Sequence, residues 1–132
     1  MGSNLLRILI LDDEKVRHDH FSVAYEGHEI THAYTYSEFI SCLKSGSPWD
    51  LIHLDHDLGD HEGCETYVDG WGKVRYFTGY HASERIFDLP DHKLPLEVIV
   101  HSVNPLGSRN IMYNLEARKL KPKWLPYSIK SE

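Results

Sequence analysis

Ile8-Leu9-Ile10-Leu11-Asp12-Asp13-Glu14 and Leu51-Ile52-His53-Leu54-Asp55-His56-Asp57-Leu58-Gly59 decide how this chain folds. Each begins as a short apolar run without the polar alternation of a half-exposed strand. Such runs mark strands covered on both faces of a parallel sheet. Each then ends abruptly in carboxylates. Acid at a buried strand end is costly unless it meets a cation, a proton or a ligand. Open α/β sheets form their sites at the carboxyl ends of strands. Two acidic tips side by side therefore concentrate negative charge at the usual active-site rim.

The flanking sequence supplies the other elements. Residues 14–26 read as a helix ending near Gly27, and residues 28–33 as a weak second strand. Thr35-Tyr36-Ser37-Glu38 has capping-box spacing and opens a helix with Phe39, Ile40 and Leu43 on one face. That helix stops at Gly46-Ser47-Pro48, and residues 49–54 form the next strand. Residues 59–77, with Gly59, Gly63, Gly70 and Gly72, are expected to be a long functional loop. A helix over 79–88 turns Ala82 and Ile86 inward, and residues 95–100 form a buried strand leading to His101-Ser102. Asn104-Pro105-Leu106-Gly107 reads as a turn, with Ser108 capping a helix to about 119. Residues 124–129 make a last edge strand, where Pro126 is tolerable. Alternating strands and helices predict one domain over residues 1–132: a three-layer α/β/α sandwich on a flavodoxin-like, mostly parallel sheet.

Composition narrows the function. The 132 residues are 41% hydrophobic and 26% charged, as in globular proteins, and no apolar run approaches a membrane span. No signal peptide is apparent, and Cys42 and Cys64 lack metal or redox spacing, so a cytoplasmic protein with free thiols is expected. The net charge of −6 argues against broad DNA binding. Arg109, Arg118, Lys119, Lys121 and Lys123 leave room for one compact basic patch. Most of the ten histidines, including His18 and His20, read as surface or half-buried residues.

Three strand tips carry the chemistry: Asp12-Asp13, Asp55-His56-Asp57 and His101-Ser102. Mg²⁺ or Mn²⁺ prefers carboxylate oxygens and keeps waters for substrate phosphates, so Asp12, Asp13 and Asp55 are the candidate metal ligands. Without a metal, carboxylates this close raise at least one pKa. His101 is a candidate proton donor or acceptor, alternatively a hydrogen-bonded core residue. His56 is a second candidate, although strand alternation can turn it away. Asp13 or Asp57 alternatively only caps the next element. Asn104 and Gly107 lead into a helix N-terminus whose free amides favour anions, unless they form a turn and nothing more. Arg109, placed in the first helical turn, has a cation's reason to meet an anion there.

The order and spacing of Asp12-Asp13, Asp55 and Ser102 over about residues 5–120 resemble the receiver domain of response regulators. The resemblance implies Asp55 as phosphoacceptor, Asp12 and Asp13 as metal ligands, Ser102 as phosphoryl contact and Asp57 as a backbone-carbonyl ligand. Two receiver features are expected to be missing: the lysine ending the fifth strand, for which Lys130 is a weak candidate, and the final helix. His56-Asp57-Leu58-Gly59, Tyr76-Phe77-Thr78-Gly79 and His101-Ser102-Val103-Asn104-Pro105-Leu106-Gly107 resemble more closely the cyclic-phosphate-processing receiver domains of bacteria and phages. That resemblance implies hydrolysis of a cyclic phosphate or related phosphodiester of a nucleotide or RNA end, with Asp55, Asp57, His56 and His101 as the catalytic group. Ser102, Asn104, Gly107 and Arg109 then contact substrate. The reading from another class is a non-catalytic module that binds metal, phosphoryl group or cyclic nucleotide for signalling or sequestration.

Overall fold

Strands β1 (Arg7–Leu11) and β3 (Leu51–Leu54) lie side by side in the middle of the sheet, as their unbroken apolar character requires. The structure is a computed structural model that describes residues 5–59 and 63–126. With β2 (Glu29–Ala33), β6 (Glu97–Val100) and β7 (Lys123–Trp124) they form a five-stranded sheet in the order β2-β1-β3-β6-β7. Every pairing in it is parallel. This is the doubly wound order expected of a flavodoxin-like sheet.

Period-two alternation divides the side chains between two cores. Ile8, Ile10, Leu51 and Ile99 face helix α1 (Lys15–Ala24) and its Phe21. Leu9, Leu11, Ile52, Leu54, Val98 and Val100 face the opposite layer. There they meet Phe39 and Leu43 of α2 (Tyr36–Gly46), Ala82 and Ile86 of α3 (Gly79–Phe87), and Ile111 and Leu115 of α4 (Pro105–Ala117). Each fully buried leucine or isoleucine contributes roughly 1.5–3 kcal/mol. The layers are therefore α/β/α, with one α-helix on one face and three on the other among the described residues.

The register builds the rim. Leu11 pairs with Ala33 and Leu54, and Leu54 with Val100. The next residues, Tyr34, Asp12, Asp55 and His101, therefore leave the sheet at one level.

The structure corrects four sequence expectations. Residues 59–77 are not all loop: β4 (Thr66–Val68) and β5 (Val74–Tyr76) form an antiparallel hairpin. Asp69 holds its turn, accepting from the Trp71 and Lys73 amides and from Arg75 Nε. Helix α4 begins at Pro105, not after Ser108. Proline needs no amide partner at the first helical position, and the Asn104 side chain caps the Gly107 amide at 2.9 Å. His18 is buried rather than a surface residue. Finally, β7 is two residues long and starts one residue early, while residues 127–129 of the expected strand lie outside those described, as does Lys130. Among the described residues, no helix follows β7. The Thr35 cap forms as expected, accepting from the Glu38 amide, but the Glu38 carboxylate reaches the Tyr34 amide rather than that of Thr35.

Candidate functional site

The level strand tips place Asp12, Asp55 and His101 around one point, with ligand-capable atoms all within 4.8 Å of one another. Asp12 is fully buried, and its two oxygens are engaged. Oδ1 accepts from the Glu14 amide at 2.9 Å, and Oδ2 from both Arg17 Nε and His101 Nε2 at 2.7 Å. Arg17 continues across the rim, with Nη2 at 3.4 Å from Asp55 Oδ2 and 3.8 Å from Asp13 Oδ1. One guanidinium thus bridges three carboxylates.

The charges divide unequally. Burial pushes the Asp12 carboxyl up, but hydrogen bonds from His101, Arg17 and Glu14 outweigh it and hold the group below its usual range. Asp55 is held less closely, by the His56 amide at 2.9 Å and by Arg17 Nη2 at 3.4 Å. Its burial, together with the Asp12 charge, pushes its pKa up to about 8, against the pull of Arg17. Asp13 is also raised, by burial and then by Asp12. One carboxyl ionised and its neighbour protonated is the expected outcome of two acids sharing a site.

A cavity of about 220 Å³ opens over this floor, lined by Asp13, Arg17, Asp55, Asp57, His101 and Ser102, among others. Two glycines outside the cavity let α3 and α4 close on the Asp55–His56 tip. A Cβ on Gly79 would sit 1.9 Å from the Asp55 carbonyl oxygen, so only glycine lets α3 start against the end of β3. There its amide donates to the His56 carbonyl at 2.8 Å. A Cβ on Gly107 would enter the His56 ring, at 2.5 Å from its Cγ.

The remaining sequence candidates fall out as follows. His56 turns from the cavity and lies over Gly107, its Nδ1 2.8 Å from Asp57 Oδ1, with Asn104 Nδ2 3.5 Å from both. His101 lines the cavity but commits Nε2 to Asp12, and its Nδ1 is buried on the α1 side near Phe21 and His53. Ser102 is buried. Its hydroxyl accepts from the Asn104 amide, and its carbonyl accepts from Ser108 Oγ and Trp124 Nε1. Arg109 is exposed on α4, past the first turn, and does not line the cavity. The basic cluster is partly spent internally: Arg118 holds the Phe87 and Leu89 carbonyls and Asp91, and Lys123 pairs with Glu97.

Sequence reasoning missed Arg17. Its signal was the i,i+4 spacing from Asp13, a spacing that places two side chains on one helical face. It also missed what holds the rim from below. His18 Nε2 lies 2.7 Å from the Asp12 carbonyl, and its Nδ1 meets His32 Nδ1 at 2.6 Å, one ring donating to the other. Burial and the neighbouring His18 depress the His32 pKa. Beneath His101, His53 accepts from the Tyr25 hydroxyl at 2.6 Å, and burial pushes its pKa to about 3, keeping it neutral.

A family model described as the cyclic-phosphate processing receiver domain matches residues 7–117. The chain belongs to this family. Solved receiver domains share its fold. A CheY-like response regulator receiver domain from Methylobacillus flagellatus is 17% identical with a TM-score of 0.61, the match covering 96% of this chain and 90% of that one. The response regulator TrrA of Thermotoga maritima, solved with Mg²⁺ and BeF, is 19% identical with a TM-score of 0.64, over 96% and 90% of the two chains. The receiver domain of a Luxo repressor protein from Vibrio parahaemolyticus is 20% identical with a TM-score of 0.63, over 96% and 81%. No curated protein matches the chain. In this cyclic-phosphate processing receiver domain, Arg17 and His101 place two nitrogen donors on Asp12 at the acidic rim. Among the described residues, no helix is long and apolar enough to cross a membrane.

Proposed function

We propose that this domain binds a cyclic phosphodiester of a nucleotide or RNA end at the rim and opens it by hydrolysis. The observation that carries this reading is the Arg17 bridge across Asp12, Asp13 and the buried Asp55. A guanidinium held by three carboxylates is fixed in place as the cation of the rim, and a planar cation of this kind suits phosphoryl oxygens. With its pKa near 8, Asp55 keeps its proton at neutral pH. A neutral carboxyl is a poor phosphoacceptor and a good acid.

The step then balances within the chain. A water attacks phosphorus from the open side and gives its proton to Asp57, which His56 orients. The bond from phosphorus to one ribose oxygen breaks, and that oxygen leaves with the proton of Asp55. Arg17 stabilises the charge that builds on the phosphoryl oxygens. His101 keeps Asp12 ionised, and Asp12 keeps Arg17 in register; both position the site. Asp12, Asp55 and His101 offer ligand atoms within 4.8 Å of one another, so with Asp55 ionised instead of protonated the rim would also fit a divalent cation, bound in place of that proton. Asp12, Asp13 and Asp55 would hold such an ion, which supplies charge relief at the phosphoryl oxygens when bound. The Mg²⁺ in the T. maritima receiver supports that fit.

The test follows phosphorus resonances of 2′,3′-cyclic nucleotides with the protein, with Mg²⁺, Mn²⁺ or chelator. New monoester signals, lost in Asp55→Asn and Arg17→Ala, are expected. Binding without turnover in the intact protein would replace the enzyme with a sequestering module. Transfer of phosphate from a small phosphodonor onto Asp55 would restore receiver chemistry and overturn the proposal.

A further inference from the structure

On the other side of Asp13 lies a second cavity, of about 270 Å³, among Tyr34, Tyr36, Leu58, Cys64, Glu65 and Phe77. The two cavities share Asp13, and the sequence neighbours Leu58 and Gly59 stand one in each wall. A ligand of nucleotide size can therefore straddle the Asp13 side chain, with one part in each.

The second cavity is built for a different chemical group. Its walls carry three aromatic rings. Tyr36 and Phe77 lie parallel, their centroids 4.2 Å apart and their planes 8° from each other. Tyr34 is carried level with Asp12 by the β1–β2 register and packs its ring on His18 at 4.0 Å. No lysine, arginine or histidine lines the cavity among the described residues, and its charged groups are the carboxylates of Asp13 and Glu65. Glu65 also occupies the place a phosphate would seek. It accepts from the Ser37 amide at 3.0 Å and from the Ser37 hydroxyl, in the first turn of α2. A second phosphate is therefore repelled. A neutral, planar group that donates N–H bonds is favoured, because carboxylates accept and rings stack.

We infer that this cavity holds the nucleobase of the ligand whose phosphate lies at Arg17, and that it selects bases with N–H donors on their edge, guanine foremost. The inference rests on the nucleotide reading of the rim. It assigns substrate selection to Tyr36, Phe77 and Glu65, none of which touches the rim chemistry.

Two probes separate the cavities: guanosine 2′,3′-cyclic phosphate, and glycerol 1,2-cyclic phosphate, which has no base. Calorimetric titration of the full chain is expected to show the nucleotide binding at least about fivefold tighter, the lower end of the stacking worth of one base. Tyr36→Leu is expected to erase that advantage and leave the glycerol compound unaffected. Glu65→Gln keeps the side chain's size and an oxygen for Ser37; it is expected to weaken the guanosine ligand several-fold and the glycerol compound not at all. Equal affinity for the two probes, or equal weakening of both by the two variants, would overturn the inference. Should neither cyclic phosphate bind, the rim reading falls, and free guanosine decides the cavity alone. Shifts in the Tyr36 and Phe77 ring resonances then sustain it, and their absence ends it.

Discussion

Asp55 is held at the cost of stability, and replacing it with asparagine measures how much. Its carboxyl has an ordinary pKa of 3.8 and one of about 8 in the folded chain, because burial and Asp12 both oppose its charge. Between those values the folded state holds a proton that the unfolded state has released. Stability from this group is therefore full below about pH 4, falls as pH rises, and levels off above pH 8. Each unit is worth about 1.4 kcal/mol, so the penalty is about 4 kcal/mol at pH 7 and about 6 kcal/mol at pH 9. A domain of this size is stable by about 5–15 kcal/mol, so the loss is a large share. Asp55→Asn keeps an oxygen for the His56 amide and removes the titration. Urea unfolding at pH 5, 7 and 9 is expected to show the variant gaining on the native chain at each step; the depressed histidines His53 and His32 weaken both chains equally towards pH 5 and cancel in the difference. At pH 9 the variant should melt about 10 °C or more above the native chain. Asp12 shifts the other way and acts only below about pH 4, outside this window. A variant less stable than the native chain at pH 9, or one with the same pH slope, would refute the unequal division of charge between Asp12 and Asp55.

Two further outcomes follow from the same geometry. Arg17→Met leaves Asp12 with His101 and the Glu14 amide but removes a charged donor at 2.7 Å. A loss of about 2–3 kcal/mol in urea unfolding is expected, with the acid limb moved to higher pH; no loss would mean that the Arg17–Asp12 pair is incidental. Gly79→Ala drives a methyl into the Asp55 carbonyl and is expected to cost at least about 2 kcal/mol in a thermal melt. A neutral result would show that α3 can withdraw from the rim freely.

Much of the site was legible in the order of residues. The continuous apolar runs named β1, β3 and β6, and the acids and histidine following them named the rim, because a parallel sheet sets its tips level. The motifs at 76–79 and 101–107 marked the glycines that the two close approaches require. The hairpin at 66–76 escaped because three-residue strands leave too short a pattern, and its turn depends on Asp69 gathering three donors. The α4 start escaped because proline after asparagine signals a turn and a helix equally well, and the Asn104 cap on the Gly107 amide decided between them.

The sequence by itself determined the sheet, its two cores and the acids at its rim, since these follow from local periodicity and from the cost of burying charge. Tertiary structure alone decided the protonation and the partners. Arg17 and His18 come from α1 and His101 from the end of β6, and their approach to Asp12 depends on distances of a few tenths of an ångström. Whether a carboxylate is ionised depends on how many donors surround it within the low-dielectric interior. Asp12 has three such donors and Asp55 has fewer, so two acids of the same kind become an anion and an acid.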